Sequence, residues 1–443
     1  MKMEPRDLVV KELGTPEFQS PLCLSNVEGD WVTNYVPNNE RILYHISIKH
    51  VKEAFQEGRD PASFELAGPR ERIFFDPAHG KAGIVTCGGL CPGINDVIRG
   101  LVMQLTWRYK VKTIYGFQYG YLGMVKESKI PPLVLDPDMV SDIHEKGGSI
   151  LGSSRGPQDI GKIVDYLMDY GVKILFCIGG DGTLRGAQAI SEEVNKRGLL
   201  ISVIGIPKTI DNDIGFTEKT FGFETAFTIA VDSIRAAHTE ALGAVHGVGL
   251  VKLMGRESGY IAANAALASQ EVNYCLIPEV PFDLEGAEGL YSHLRERLIT
   301  RKHAVIVVAE GAGQKYVQQN GTDMSGNKKL GDIGIFLRED IKRFFGSIKV
   351  PLNIRYIDPS YLIRSARAIP SDSIYCNQLA QNAVHAGMAG KTGMIVGIYN
   401  NRFIHVPIQT AIERRKFIDP EGMFWLNVTE STGQPHRMAS KSA

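Results

Sequence analysis

The apolar positions of this chain fall into two alternating patterns. Short continuous apolar runs recur between longer stretches with helical spacing. Gly83–Cys87 (GIVTC) reads as a strand, followed by the glycine turn Gly88-Gly89-Leu90-Cys91-Pro92-Gly93. A helix is predicted next, because Ile94, Val97, Ile98, Leu101, Val102 and Leu105 line one face of a 3.6-residue period. The same order returns at Lys173–Ile178 (KILFCI), which runs into the turn Gly179-Gly180-Asp181-Gly182-Thr183. Ile201–Ile206, Gly249–Leu253, Ala304–Ala309 and Met394–Tyr399 are further predicted strands, and Ala226–Leu242 and Gly286–Thr300 further predicted helices. Continuous apolar strands alternating with helices imply an α/β fold with parallel sheets covered on both faces.

Residues 1 to 78 break this pattern. They have few periodic runs and many turn residues, such as Pro37-Asn38-Asn39, and read as an N-terminal extension packed on the α/β body. The polar, glycine-containing stretch Gln314–Asp332 reads as an exposed, mobile loop.

Composition narrows the function classes. The 443 residues include 49 Lys or Arg and 49 Asp or Glu, a net charge of +0 that argues against a protein coating nucleic acid. At roughly 150 residues per domain, two or three domains are expected. No run approaches the roughly 18 apolar residues of a membrane span, and the start MKMEPRDLVV has no apolar signal-peptide core. The six cysteines are scattered without a C-x-x-C pair, as in a cytosolic protein with reduced thiols. The end, Ser440-Lys441-Ser442-Ala443, is not the S-K-L peroxisomal address.

Chemistry is expected at the carboxyl ends of the strands. Glycine lets backbone approach a phosphate, and a helix N-terminus offers free N–H groups. Gly88-Gly89 and Gly180-Asp181-Gly182-Thr183 both qualify, although either turn alone is equally a ligand-free βα turn. Asp181 beside a phosphate cradle points to an intervening Mg²⁺. Gly156–Lys162 matches G-x-x-x-x-G-K, but Ile163 stands where that motif needs Ser or Thr, and no G-x-G-x-x-G occurs.

The loop Pro207-Lys208-Thr209-Ile210-Asp211-Asn212-Asp213 follows the strand Ile201–Ile206. Such a loop is commonly a solvated turn. Here Lys208 adds a charge suited to phosphate, and Asp211 with Asp213 suits a general base for phosphoryl transfer to an alcohol. Met254-Gly255-Arg256 follows another strand, Glu310 ends a third, and Arg355, Tyr361 and Arg364 lie within ten residues. A lone Arg is usually a surface ion pair, but two with a Tyr hydroxyl also suit a phosphate monoester.

Taken in order, TCGGLCPGIND, LGSSRGP, GGDGT, PKTIDND, KLMGRESGYIA, VVAEGAG and IDPSYLIRS resemble the 6-phosphofructokinase family, in its long form related to the pyrophosphate-dependent branch. The resemblance covers about residues 80 to 443. GGDGT alone is shared with NAD and diacylglycerol kinases, whose substrates do not need the 355–364 loop. The resemblance implies two Rossmann-like three-layer α/β domains around a cleft. The donor domain is expected at 79–222 plus 365–415 and the sugar domain at 223–364 plus 416–443.

It also implies transfer of a phosphoryl group to O1 of fructose 6-phosphate. Asp211 would be the base, supported by Asp213, with Thr209, Lys208 and Arg256 assisting. Gly88, Gly89, Arg155, Gly180, Asp181, Gly182 and Thr183 would hold the donor, with Asp181 near Mg²⁺. Met254, Gly255, Arg256 and Glu310 would hold the sugar. Tyr361 and Arg364 would bind the 6-phosphate, joined by Arg355 from a neighbouring subunit of a homotetramer, and allosteric control is a family trait.

Gly182 goes with ATP, since Asp there would intrude on the α-phosphate; Lys208 goes with pyrophosphate. Long ATP-dependent members combine both, so ATP is expected and pyrophosphate is the alternative. The chain departs from short members in two places: Tyr361 replaces a His, and Val245-His246-Gly247 replaces a neighbouring-subunit Arg.

Overall fold

A computed structural model describes residues 4–318, 321 and 329–439. The chain divides into two compact units. The first comprises residues 1–209, 214–222 and 366–415, and the second 210–213, 223–365 and 416–443.

The first unit is built on a nine-stranded sheet. Its parallel centre runs in the order Met394–Tyr399, Ser202–Pro207, Ile174–Gly179, Lys81–Thr86, Thr113–Phe117. The middle strands are buried along their whole length, as their continuous apolar sequence requires. The helices Ile94–Met103, Ile160–Tyr170, Asp181–Lys196 and Pro370–Met388 belong to this unit.

The edges are antiparallel, which the sequence pattern did not show. Arg402–Pro407 pairs with Met394–Tyr399 as a hairpin, Ser63–Leu66 pairs with Arg402–Pro407, and Arg41–Leu43 pairs with Ser63–Leu66. The N-terminal segment therefore lengthens the sheet. It is also held by a buried ionic cluster: Glu65 Oε1 meets Arg70 Nη2 at 2.9 Å, Lys391 Nζ at 2.8 Å and His405 Nδ1 at 3.1 Å. Burial would raise the Glu65 carboxyl, but His405 and Lys391 outweigh it and hold it well below the usual carboxylate range.

The second unit has a four-stranded, fully parallel sheet in the order Tyr274–Leu276, His303–Ala309, Gly247–Leu253, Asn353–Ile357. The helices Phe223–Leu242, Tyr260–Ser269, Leu290–Arg301 and Ile333–Ser347 accompany it. Glu279 ties two of its segments by accepting from Gly259 N at 3.0 Å and Ile418 N at 3.1 Å. The predicted loop Gln314–Asp332 begins with a short 3-10 turn at Gln314–Tyr316, and its centre lies outside the described residues, as does Ser440–Ala443. Among the described residues no helix is long and apolar enough to cross a membrane.

Candidate functional site

Two glycine turns meet at one lysine in the first unit. The strand Lys81–Thr86 ends in Gly88, whose φ of +87° is in the left-handed region open to glycine. Ser153 Oγ donates to Gly88 O at 2.6 Å, and Gly88 N donates to Ser154 O at 3.2 Å. Lys208 is buried, and its Nζ donates to Gly89 O at 2.7 Å. Its own N–H donates to Gly179 O at 3.0 Å, on the neighbouring strand. A Cβ at Gly88 would lie 3.7 Å from Lys208 Nζ, and one at Gly89 would lie 3.6 Å from Arg155 Nη2. Gly88, Gly89, Arg155, Gly180 and Lys208 thus gather at adjacent strand ends.

The helix Asp181–Lys196 starts at this place, with Gly180 as its N-cap in extended conformation. A helix start presents backbone N–H groups that suit an anion, although here Thr183 N already donates to Gly180 O at 2.9 Å. Asp181 Oδ2 accepts from Arg185 Nε at 3.2 Å and Arg415 Nη2 at 3.3 Å. Thr183 is buried, and its carbonyl accepts from Tyr121 Oη at 2.8 Å. A Cβ at Gly182 would meet no heavy atom within 4 Å, so this side of the turn is open.

Among the described residues no group of three or more His, Cys, Asp or Glu side chains is set to hold a metal ion. Mg²⁺ carried on phosphates needs only one or two protein carboxylates. The single carboxylate of Asp181, 29 % exposed at the donor turn, fits that need.

The segment Lys208–Asp213 spans the division of the chain: Lys208 and Thr209 group with the first unit, Ile210–Asp213 with the second. The sequence expectation placed all of 79–222 in one domain. The difference has a local cause. Ser258 Oγ donates to Asp211 O at 2.9 Å, Lys416 Nζ to Asn212 Oδ1 at 2.9 Å, and Lys416 N to Asp213 O at 2.9 Å. Asn212 takes φ +54°, a conformation its short amide side chain tolerates. Thr209 is fixed within the first unit, its carbonyl accepting from Thr220 Oγ1 at 2.5 Å.

In the second unit, Met254 and Gly255 are buried after the strand Gly247–Leu253. Gly255 has φ +129°, and a Cβ there would lie 2.4 Å from Ser258 O, so only glycine fits. Gly311 N donates to Gly255 O at 3.0 Å, strapping this turn to the one after His303–Ala309. Glu310 lies in that second turn. Burial raises its carboxyl, while Arg364, Lys252 and Arg256 oppose the rise. Arg256, Glu310 and Arg364 are therefore electrostatic neighbours.

Arg355 is not with them. It is 52 % exposed and contacts Glu240 Oε2 at 3.2 Å, beside an open cavity of about 610 Å³ lined by Thr239, Val245 and Asn353. Tyr361 is 85 % exposed on the short helix Ser360–Ser365.

Several residues escaped the sequence reading. Arg185 is one helical turn from Asp181, a spacing that signals an ion pair. Arg415 and Lys416 gave no local signal, because the fold brings them in from distant segments, whereas Ser258 and Asp358 lie inside KLMGRESGYIA and IDPSYLIRS without a role assigned there. Asp358 Oδ2 contacts Lys252 Nζ at 2.7 Å.

The family profile described as Phosphofructokinase matches residues 81–387. The chain is 46% identical over 446 residues to an ATP-dependent 6-phosphofructokinase of Borreliella burgdorferi, covering 99% of each chain. It is 47% identical to an ATP-dependent 6-phosphofructokinase of Amycolatopsis methanolica, covering 100% of this chain and 98% of that one. Among solved structures, the pyrophosphate-dependent phosphofructokinase of Marinobacter aquaeolei is similar in fold, with a TM-score of 0.65 at 21% identity over 77% of this chain and 86% of that chain.

Proposed function

The chain belongs to the phosphofructokinase family, and we propose from this premise that it transfers the γ-phosphoryl group of ATP to O1 of fructose 6-phosphate. One observation carries the choice of donor: the open side of Gly182 at the start of the helix Asp181–Lys196. A terminal phosphoryl group bound at the turn needs room for the rest of a nucleotide, and pyrophosphate does not. The names of the Borreliella and Amycolatopsis relatives support the same choice.

In this reading the first unit holds the donor. The glycine turns Gly88-Gly89 and Gly180–Thr183 and the cations Lys208 and Arg155 meet the phosphates. Asp181 holds Mg²⁺, which when bound neutralises phosphate charge. Arg185 and Arg415 fix the carboxylate that would hold the ion. The second unit holds the sugar. Met254, Gly255, Arg256 and Glu310 contact its hydroxyls, and Arg364 and Tyr361 its 6-phosphate.

Asp211 accepts the proton of the 1-hydroxyl, Asp213 supports it, and Thr209 contacts the transferring group. Asp211 is positioned through its backbone by Ser258. Arg355, exposed and remote from Glu310 in its electrostatics, serves a neighbouring subunit of a homotetramer. A cytoplasmic location and allosteric control complete the reading. The deciding experiment is a coupled assay offering ATP or pyrophosphate with Mg²⁺ and fructose 6-phosphate. Turnover with ATP is expected, and turnover with pyrophosphate alone would overturn the donor assignment.

A further inference from the structure

One carboxylate in the second unit holds both of the segments that grip the Asp211–Asp213 loop. Glu279 follows the strand Tyr274–Leu276, past its carboxyl end. Its two oxygens each accept from Gly259 N at 3.0 Å, and Oε1 also accepts from Ile418 N at 3.1 Å. Gly259 is the N-cap of the helix Tyr260–Ser269, and its neighbour Ser258 is the residue whose hydroxyl donates to Asp211 O. Ile418 is close in sequence to Lys416, which donates to Asn212 Oδ1 and to Asp213 O. The two segments are also tied to each other. Tyr260 Oη donates to Phe417 O at 2.9 Å, and Lys416 Nζ lies 5.1 Å from the centre of the Tyr260 ring. Glu279, the helix start and the return at Lys416–Ile418 thus make one frame around the loop, all within the second unit.

This frame asks for a carboxylate. Both partners are backbone N–H donors, and an ionised carboxyl offers acceptors only. A glutamine of the same shape would turn an amide NH₂ toward one of those donors and leave it without an acceptor. Negative charge also suits the start of a helix. The fit is close at Gly259: a Cβ there would lie 2.4 Å from Ile277 Cβ and 2.9 Å from Glu279 Oε2, so a side chain would push the carboxylate off its donors. Burial raises the Glu279 carboxyl, and the N–H groups of Gly259 and Ile418 oppose that rise.

We propose that Glu279 is a positioning residue for phosphoryl transfer: by holding Gly259 and Ile418 together it sets the place of Asp211, without touching either substrate. The proposal rests on the reading of Asp211 as the group that takes the 1-hydroxyl proton. Misplacing a reacting group by about 1 Å costs on the order of 10²-fold in rate. Binding groups anchored elsewhere keep their affinity. The sugar-side turn at Met254–Arg256 has its own strap, Gly311 N to Gly255 O, and the donor turns belong to the first unit. A shift of Asp211 therefore shows in kcat and leaves KM in place.

The test is steady-state kinetics of the full chain with ATP, Mg²⁺ and fructose 6-phosphate, with urea unfolding of every variant alongside. Glu279→Gln should lower kcat roughly 10–100-fold while both KM values stay within about threefold. Glu279→Asp keeps an acceptor-only group, one methylene short, and should retain more activity than the Gln variant; a space-filling role would favour Gln instead. In an Asp211→Ser background, Glu279→Gln should cost less than about twofold more, because the place of the base matters only while the base is there. Wild-type kcat in the Gln variant, an equal change in KM, a Gln variant more active than the Asp variant, or the full loss repeated in the Asp211→Ser background would overturn the proposal. If the Gln variant does not fold, the Asp variant is read by the same split and the same double-variant comparison. Failure of the underlying reading is distinct: Asp211→Ser would then turn over at the wild-type rate, removing the base and the proposal with it.

Discussion

Gly182→Asp isolates the donor argument, because the fold has no reason to resist it. Gly182 is exposed in the first turn of the helix Asp181–Lys196, and a Cβ there meets nothing within 4 Å. An acidic side chain near a helix N-terminus is itself favourable by about 0.3–1 kcal/mol. The melting temperature should therefore hold or rise. The cost falls on the nucleotide. A carboxylate about 5 Å from one phosphate charge, with an effective dielectric of about 40–80 for this exposed place, is repelled by about 0.8–1.7 kcal/mol. Two phosphate charges bring this to about 1.5–3 kcal/mol, roughly a 10–150-fold rise in KM for ATP. Gly182→Ala adds the Cβ without the charge and should keep KM within about threefold, since the turn is open. The measurement is an NADH-coupled assay of fructose 1,6-bisphosphate formation over a range of ATP, with thermal melting alongside. An unchanged KM in the Asp variant, with the fold intact, refutes the placement of the donor chain over Gly182.

Other outcomes follow from the same geometry. Asp211→Ser should lower kcat by about 10²–10⁴ while leaving the KM for fructose 6-phosphate nearly constant; a matching loss in both would mean the side chain binds and does not take a proton. Arg415→Ala removes one of the two arginines on Asp181 Oδ2 and should raise the Mg²⁺ concentration needed for half-maximal rate, whereas an altered KM for the sugar alone would contradict its place beside the donor turn. Acid should destabilise the protein through His385, which burial pushes down to about 3. Its folded pKa is below its unfolded value of about 6.5, so its contribution is complete above that pH and is lost as pH falls, at about 1.4 kcal/mol per pH unit. Urea unfolding at pH 7.5, 6 and 5 reads that slope, and His385→Gln should flatten it; a wild-type curve level over this range would show that the ring is not held neutral.

The strand–turn–helix units were legible because each carries its period in one continuous stretch. Gly83–Cys87 and Lys173–Ile178 appear within two residues of Lys81–Thr86 and Ile174–Gly179. The helix Pro370–Met388 was not legible. Its buried stripe carries only Tyr375, Leu379, Val384 and Met388 as large apolar residues, diluted by Asp372, Cys376, Ala380, Ala383 and Gly387 on the same face. The short strands Arg41–Leu43 and Ser63–Leu66 are too brief to show alternation. In the candidate site, residues at strand ends could be read from their motifs. Arg415 and Lys416 could not, because each acts on a segment some 200 residues earlier in the chain, Asp181 and Asn212 respectively.

The order of strands has a consequence for synthesis on the ribosome. Ser63–Leu66 reaches the sheet only through Arg402–Pro407, its hydrogen-bonded neighbour. At 5–20 residues per second, the ribosome needs roughly 17–70 s to travel from the one strand to the other. Throughout that time the early strands Arg41–Leu43 and Ser63–Leu66 have only each other to pair with, and the buried carboxylate of Glu65 has neither Lys391 nor His405 beside it. These early strands are thus fixed late, and the nascent chain carries an open sheet edge until Arg402–Pro407 emerges.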